Sequence, residues 1–459
     1  MIGRLAFRSL TAHPVRTAVL AGGFGVGVGV MAILLGVASI VLEQAQAPAL
    51  VGGGDVVIRL SEQVPARLVL AGTLQADALR GRIRAVSPTH ATNLYLLRAG
   101  RAIPVQARGG IPSRERALGD TETAGIEAWR DSPSDGAWIH ETPDKVLRRI
   151  DAFHPIPGAP AWADSWAEWL YFNGRAAEGR LYLTFLVGPR TPRGGRSAGV
   201  RLQLERGGRM DTYSAAAELG DDDVARAPEL TIDRSRVRLD GMRYQIHLDL
   251  RGEHGGRATG DVTLQATAGR LVPPLEITGA HGWRTGYVVP AMAGALDGTI
   301  RAGGETVSFA GGTGYHDHNW GFWKNVSWQW GQVQHEDLSF IYGRVFPPRE
   351  AADPERMPGF VGALGPDGPL GYATDVHIAE RNDQRGRPRT ITVTARGTAL
   401  NLTLRFEVQS VTTTRMAGGP VGAGLDFLQM RGAYSVAGRA AGRDISFTSP
   451  GAAETFRGR

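Results

Sequence analysis

The sequence predicts a mainly β protein of two antiparallel β-barrels, preceded by one transmembrane helix and a small α+β module. From about residue 150 onward, short segments with alternating apolar residues recur and glycine-containing turns separate them. Glycine supplies 63 of the 459 residues without the strict period of collagen. Strands do not alternate with helices, so a doubly wound sheet is not expected. A strand-rich region of roughly 300 residues suits two barrels better than one.

The first element is an uncharged stretch of 26 residues, from residue 17 to residue 42. At about 1.5 Å per residue it exceeds the roughly 30 Å hydrocarbon core of a bilayer, which predicts a membrane-spanning helix. Arg4, Arg8 and Arg16 precede this stretch and Glu43 follows it. The positive-inside rule therefore places the N-terminus in the cytoplasm and the rest of the chain outside it. A cleaved signal peptide is the alternative, but the apolar run is longer than a typical signal core.

The remaining elements give a division into four parts. Residues 1–45 form the cytoplasmic N-terminus and the transmembrane helix, and residues 46–150 form a small extracytoplasmic module with a linker. Residues 151–300 are predicted as the first barrel and residues 301–459 as the second. One example of a barrel hairpin is Asp240-Gly241, a strong turn signal between two alternating segments.

Composition excludes several classes of function. The 51 basic and 45 acidic residues give a formal net charge of +6. The basic residues are scattered rather than interleaved with aromatic residues, so a nucleic-acid partner is not expected. The chain has no cysteine, which excludes disulfides and thiolate metal sites. No cofactor is expected.

The candidate site is the stretch from Gly312 to Gly321, which contains Tyr315-His316-Asp317-His318-Asn319-Trp320 and is followed by three more tryptophans. It combines proton-transfer groups with apolar aromatic surface, as expected for a pocket that holds a hydrophobic ligand. If the stretch is extended, Tyr315, Asp317 and Asn319 share one face, and His316 and His318 share the other.

Two further interpretations of this stretch stay open. His316 and His318 could bind a metal ion, with His335 as the nearest further ligand in sequence. Alternatively, the polar residues satisfy backbone groups at a sharp turn while the tryptophans fill a core. The prediction adopted here is that the site holds no metal.

The N-terminal residues from Leu5 to Leu10 and from His13 to Thr17, with the apolar run, resemble the start of permease subunits of macrolide and lipoprotein ABC exporters. Gly54-Asp55-Val56-Val57-Ile58 is similar to the start of the periplasmic domain of those subunits. The resemblance covers roughly the first 110 residues. No second long uncharged stretch follows, so transport by this chain alone is not expected. The resemblance implies association with the ATPase and permease subunits of such an exporter.

From about residue 153 the chain resembles the two-barrel lipocalin-like family of AttH-like proteins and carotenoid 1,2-hydratases. The residues that carry the likeness are the segment from Trp166 to Gly174, His281-Gly282-Trp283, and Gly-x-Gly-Tyr-x-Asp-x-Asn-Trp-Gly within the candidate site. The resemblance implies that Tyr315 and Asp317 line a pocket near the junction of two adjacent barrels, together with His281 and Trp283. It leaves His316 and His318 to bond between the barrels or at the surface.

The resemblance and the aromatic residues together give the predicted site. The predicted catalytic residues are Asp317, Tyr315, His281 and Trp283. The predicted ligand-binding residues are Trp169, Tyr171, Trp320, Trp323, Trp328, Trp330 and Asn319.

The resemblance implies that Asp317 protonates an isoprenoid double bond. Such a step needs a carboxylic acid that stays protonated near neutral pH, so an apolar setting must raise the pKa of Asp317. The face of Trp283 or Trp320 would stabilise the carbocation by about 1–2 kcal/mol, and His281 or Tyr315 would position water.

Two functions remain. The sequence favours a membrane-anchored, extracytoplasmic protein that binds an isoprenoid or lipid as an accessory of an ABC exporter. The alternative is a hydratase or cyclase.

Overall fold

The computed structural model describes residues 142–458 apart from gaps at 254, 367, 398 and 417–424. Before residue 142 it describes residues 14–15, 56–58, 66–75, 79, 81–98, 101–119, 126, 128–132 and 135. The chain divides into two units, one of Met1–Arg59 with Leu79–Ile139 and one of Leu60–Ala78 with His140–Arg459. The predicted transmembrane stretch, residues 17–42, lies outside the described residues. Within the described residues, no helix has the length and apolar character to cross a bilayer.

The smaller unit contains an antiparallel hairpin followed by a short helix. Its elements are β1 (Thr89–Arg98), β2 (Arg101–Gly110) and a helix at Pro112–Leu118. Glu115 of this helix is buried and accepts hydrogen bonds from the hydroxyl groups of Ser87 and Thr89. These bonds anchor the helix to the chain that enters the hairpin.

The larger unit begins with helices and continues as a twelve-stranded sheet. The helices are Ala66–Gln75, Pro143–Ile150 and the single turn Asp221–Val224, with 3₁₀ turns at Pro160–Ser165 and Ala280–Gly282. The strands are β3 (Trp166–Arg175), β4 (Arg180–Arg190), β5 (Arg196–Arg206), β6 (Arg209–Leu219), β7 (Leu230–Ile232), β8 (Ser235–Asp240), β9 (Arg243–Gly252), β10 (Arg257–Ala266), β11 (Val272–Thr278), β12 (Arg284–Ala302), β13 (Glu305–Ser308) and β14 (Gly312–Phe322).

Eight of these strands close into a barrel. Their order is β10-β12-β14-β3-β4-β5-β6-β9, and β9 pairs back with β10. Alternation along the strands supplies the barrel core, since Leu183, Phe185 and Leu202 point inward and are fully buried. The predicted hairpin at Asp240-Gly241 joins β8 to β9, and Gly241 adopts φ 59°, a left-handed conformation that favours glycine.

The second sheet has nine strands and open edges, in the order β18-β17-β16-β15-β23-β22-β21-β20-β19. Its strands are β15 (Ser327–His335), β16 (Leu338–Phe346), β17 (Phe360–Gly365), β18 (Gly368–Ala373), β19 (Asp375–Asn382), β20 (Pro388–Arg396), β21 (Leu400–Met416), β22 (Leu425–Ala440) and β23 (Arg443–Gly458), with a 3₁₀ turn at Pro354–Arg356 before β17. Val393, Leu404, Phe406 and Tyr434 belong to the core of this curled sheet.

The mainly β prediction is confirmed, with one difference in closure. The first predicted barrel is closed, whereas the second is a curled half-barrel with free edges at β18 and β19. The predicted boundary between residues 300 and 301 falls within β12, and β13 and β14 also belong to the barrel sheet. The candidate stretch therefore forms a strand of the closed barrel.

Candidate functional site

Strand β14 separates two polar environments because its side chains alternate between the faces of the barrel wall. It lies between β12 and β3, in the register Asp317↔Tyr171 and His318↔Leu170. His316 and His318 point into the barrel, whereas Tyr315, Asp317 and Asn319 are on the outer face. The residue alternation predicted from the sequence is present in the strand.

The inner face carries a buried hydrogen-bond network. Nε2 of His316 lies 3.1 Å from both carboxylate oxygens of Asp151, and Nδ1 of His318 lies 3.1 Å from Asp151 Oδ1. The other ring nitrogen of His318, Nε2, lies 2.9 Å from Glu168 Oε1, and Tyr244 donates its hydroxyl hydrogen to Asp151 Oδ2 at 2.8 Å. This network ties the segment after helix Pro143–Ile150 to the barrel interior.

The partners in this network decide its ionisation. Burial alone would raise the pKa of Asp151, but neighbouring His316 and hydrogen bonds from His316 and His318 lower it to about 2. Burial likewise opposes charge on His318, yet hydrogen bonds to Asp151 and Glu168 raise its pKa to about 9. Hydrogen bonds from His154 and His318 outweigh burial at Glu168 and lower its pKa. The inner network is an array of compensated charges at neutral pH.

His154, Glu168 and His318 form a group whose ligand-type atoms lie within 4.8 Å of one another, which is close enough to hold a metal ion. In the structure Glu168 Oε1 is bonded by both imidazoles, at 2.7 Å from His154 Nδ1 and 2.9 Å from His318 Nε2. His335 belongs to a different region, where it stacks on Phe447 at 4.3 Å. The pairing of His316 and His318 with His335 is therefore wrong.

The outer face of β14 presents a carboxyl group with the opposite electrostatics. Tyr315 donates its hydroxyl hydrogen to Asp317 Oδ2 at 2.8 Å, and Asn319 Nδ2 donates to Asp317 Oδ1 at 2.7 Å. Both bonds favour the ionised form, but burial and the charge of Glu454 outweigh them and raise the pKa of Asp317 well above its ordinary value.

Asp317 lines a cavity of about 570 Å³ between the outer face of the barrel and the second sheet. One end is aromatic: the Trp169 and Trp323 rings lie 4.6 Å apart, and Trp328 is 5.4 Å from Trp323 and 4.0 Å from Phe456. Leu186, Val200 and Phe427 extend the apolar lining. A cavity of this size, with mostly apolar walls and few polar groups, is typical of small-molecule sites.

Glu454 of β23 is the second carboxyl group in this cavity. Tyr171 of β3 donates its hydroxyl hydrogen to Glu454 Oε1 at 2.7 Å, a bond that joins the barrel to the second sheet. Burial raises the pKa of Glu454 to about 7 against hydrogen bonds from Tyr171 and Gln429. Sequence reasoning missed Glu454. The available signal was a lone carboxylate in the otherwise uncharged segment from Ser446 to Phe456.

Several predicted site residues meet in this cavity. Its lining includes Asp317, Asn319, Trp169, Tyr171, Trp323, Trp328 and Trp330. Tyr315 does not line this cavity but bonds directly to Asp317.

The other predicted positions need correction. Trp320 is on the inner face of β14, where it stacks on His154 at 4.0 Å. Trp283 is fully buried and donates its indole hydrogen to the Phe322 carbonyl. Neither Trp320 nor Trp283 lines the cavity. His281 is exposed on a 3₁₀ turn with φ 56° and does not join Asp317.

His316 and His318 also lie elsewhere than predicted. Both are fully buried inside the barrel, where His316 stacks on Phe172 at 4.1 Å and meets Tyr244 edge-on at 4.6 Å. They do not bond between barrel and sheet or at the surface, because Asp151 and Glu168 supply buried partners.

The fold defines a β-barrel protein that encloses a largely apolar cavity against a second sheet. Residues 150–440 match the model of DUF7064, described as a domain of unknown function, and the chain belongs to this family. No curated protein matches the chain.

Several solved structures are similar to this chain in structure, at low sequence identity. A candidate AttH of Nitrosomonas europaea is 15% identical with a TM-score of 0.43, covering 66% of this chain and 99% of its own. Kievitone hydratase from Nectria haematococca is 11% identical with a TM-score of 0.43, covering 67% and 93%. CghA solved with Sch210972 is 12% identical with a TM-score of 0.41, covering 69% and 95%. These low scores bear on neither the chemistry nor the ligand of this chain.

Proposed function

We propose that the cavity binds an unsaturated hydrophobic molecule and that Asp317 protonates it, so that water adds across a carbon–carbon double bond. The observation that carries this proposal is the presence of two carboxyl groups with raised pKa, the buried Asp317 and the partly buried Glu454, in one largely apolar cavity. Protonation of an unactivated alkene requires an acid that is still protonated near neutral pH. Burial, which raises the pKa of Asp317 well above its ordinary value, supports this role.

The two carboxyl groups divide the proton transfers. Asp317 gives its proton to one alkene carbon, and the electron pair of the double bond forms the new C–H bond, which leaves a carbocation. The oxygen of a water molecule bonds to the cation, and the proton it releases goes to the carboxylate of Glu454. With its pKa near 7, Glu454 is about half ionised at neutral pH and can act as this base. Transfer of a proton from Glu454 back to Asp317 restores the starting state of both carboxyl groups.

The aromatic end of the cavity suits the hydrocarbon part of the ligand and the cationic intermediate. Trp169, Trp323 and Trp328 present ring surface to the cavity. An indole face stabilises a desolvated cation by about 1–2 kcal/mol. These residues take the role that sequence reasoning gave to Trp283 and Trp320, which do not line the cavity.

The second candidate function is binding without conversion. The uncharged stretch at residues 17–42 favours it, because a protein held at a membrane could accept a lipid or isoprenoid and pass it to an ABC exporter. In this proposal the N-terminus is cytoplasmic, the barrel and the second sheet are extracytoplasmic, and the carboxyl groups serve recognition.

Incubation of the purified full chain with unsaturated isoprenoids and with membrane lipid extract, followed by mass spectrometry, separates the two functions. Under the first, the wild type yields a product heavier by one water, and Asp317→Asn forms it about 10²–10⁴-fold more slowly. Asp444→Asn, which alters a surface carboxylate, should match the wild type. Undiminished product from Asp317→Asn would rule out Asp317 as the acid. Recovery of bound but unmodified ligand from the wild type would favour the binding function.

A further inference from the structure

Two residues that line the cavity carry buried polar atoms without a partner among the described residues. The indole nitrogen of Trp330 and the phenol oxygen of Tyr287 are buried, and neither has a hydrogen-bond partner among the described residues. Both residues line the cavity, and Trp330 as a whole is only 8% exposed. Buried donors in native proteins are nearly always paired, so unpaired donors on residues that line a cavity point to an acceptor supplied by a ligand.

Trp330 lines the cavity from the second sheet, beside Glu454. It pairs in register with Glu454, and Glu454 pairs on its other side with Gln429. Gln429 also lines the cavity, and its Oε1 is a buried acceptor with no partner among the described residues. Three neighbouring strands therefore present a donor, a carboxyl group and an acceptor in a row.

Tyr287 occupies the corresponding place on the barrel wall. It pairs in register with Asn319, which donates a hydrogen bond to Asp317. Burial raises the pKa of Tyr287, so this phenol keeps its hydrogen and can donate it. Donors from two opposing walls thus flank the pair of carboxyl groups.

The chemistry of these donors specifies what they need. An indole N–H can only donate a hydrogen bond, and only an acceptor satisfies it. The cavity lining also offers ring surface, with Phe427 and Phe456 stacked at 4.8 Å and Trp328 beside them. A pure hydrocarbon would fill the aromatic end and leave Trp330 and Tyr287 unsatisfied.

We propose that the ligand is a hydrophobic molecule with an oxygen function, a hydroxyl or carbonyl group, which accepts hydrogen bonds from Trp330 and Tyr287 beside the two carboxyl groups. Its hydrocarbon part packs against the tryptophans. The inference rests on the proposed function for identifying this cavity as the ligand site. It deepens that function, since an anchored oxygen fixes which part of the substrate faces Asp317.

The test compares three compounds with one carbon skeleton, farnesene, farnesol and farnesal, by quenching of tryptophan fluorescence in the full chain. Trp330→Phe and Tyr287→Phe each remove one donor and keep an aromatic ring. Each variant should bind farnesol and farnesal about 10-fold more weakly and farnesene within about 2-fold of the wild type, because only the oxygenated ligands lose a hydrogen bond. Trp328→Phe, at the aromatic end, should change the affinity for all three by a similar factor.

Equal losses for farnesene and farnesol in Trp330→Phe and Tyr287→Phe, or no loss for any of the three, would overturn the inference. Turnover is scored separately from binding. A donor-dependent preference for farnesol, together with undiminished product from Asp317→Asn, would overturn the catalytic role and support the inference. If Asp317→Asn formed no product but the donor variants bound farnesol as the wild type does, the catalytic role would be supported and the inference overturned.

Discussion

The carboxyl groups on the two sides of strand β14 have opposite electrostatics: the pKa is lowered inside the barrel and raised in the cavity. On the inner face, imidazoles contact Asp151 and Glu168, and the pKa of both carboxyl groups is lowered despite burial. On the outer face, neutral donors contact Asp317 and Glu454, and burial raises the pKa of both. Burial alone does not decide ionisation, because the charge of the nearest partner does. The same strand thus carries compensated charges on one face and, in the proposed function, the proton donor on the other.

The largest expected effect is a difference in stability between two variants, each of which replaces a carboxyl group on one face with the isosteric amide. Asp151→Asn should lower the free energy of unfolding by about 3–5 kcal/mol, because it leaves protonated His318 with one fewer buried counter-charge. Asp317→Asn should change it by less than about 1 kcal/mol, because burial already disfavours the ionised carboxylate that the amide replaces. Urea unfolding of both variants at neutral pH measures the contrast. Similar losses in the two variants would show that the faces do not differ in charge.

The next effect is the contribution of Glu454 to the pH dependence of stability. Its pKa is raised from 4.5 to about 7 in the folded protein, so the folded state binds the proton more tightly than the unfolded chain does. The wild type therefore loses stability relative to Glu454→Gln as the pH rises from 4.5 to 7, by about 3 kcal/mol in total. Above pH 7 the difference should be constant.

The pH dependence of stability should have the opposite sign for Asp151. The folded pKa of Asp151 is about 2, so its stabilising contribution is present above its ordinary pKa of 3.8 and is lost as the pH falls towards 2. The gap between the wild type and Asp151→Asn should therefore narrow below pH 4 and stay constant from pH 4.5 to 7. Unfolding curves across pH 3 to 8 measure both differences. A gap for Glu454→Gln that did not vary with pH would show that burial leaves this carboxyl unperturbed.

The fold class and the alternation of side chains along β14 could be predicted from the sequence, but the residues that contact each face of the strand could not. Period-two patterns predict strands because the pleat is local, and they separate Asp317 from His316 and His318. The same alternation places Trp320 with the histidines, so its assignment to the ligand site followed composition instead of geometry. Local patterns could not indicate Asp151, which lies 165 residues from His316, or Glu454, which lies 283 residues from Tyr171.

The remaining errors have a similar cause. The turn at His281 and Trp283 precedes β12, the strand that pairs with β14. Sequence proximity of His281 to Trp283 does not fix where either side chain points: the Phe322 carbonyl accepts the Trp283 indole hydrogen, and His281 remains exposed. The alternating pattern also could not predict whether the second sheet closes into a barrel. Alternation specifies which face of a strand is buried and not whether the edge strands pair with each other.

The smallest expected effect comes from the same substitution at one tyrosine on each face. Tyr171 donates a hydrogen bond to Glu454 at 2.7 Å, and Tyr244 donates one to Asp151 at 2.8 Å. Tyr171→Phe removes a bond that favours ionised Glu454, so the pKa of Glu454 should rise by up to about 1 unit, or about 1.4 kcal/mol. The measurement is the pH midpoint of the stability difference between Tyr171→Phe and the double variant Tyr171→Phe/Glu454→Gln.

Tyr244→Phe is the matched control on the inner face. It also removes a donor from a buried carboxylate, but two imidazoles still contact Asp151 and hold it ionised throughout the range in which Glu454 titrates. The Glu454 midpoint should therefore not move in Tyr244→Phe. Movement in both variants would mean that the two networks share their protons through the barrel wall, and the faces of β14 would then form one titrating unit. Movement in Tyr171→Phe alone would show that the wall insulates proton transfer in the cavity from the charges that stabilise the barrel.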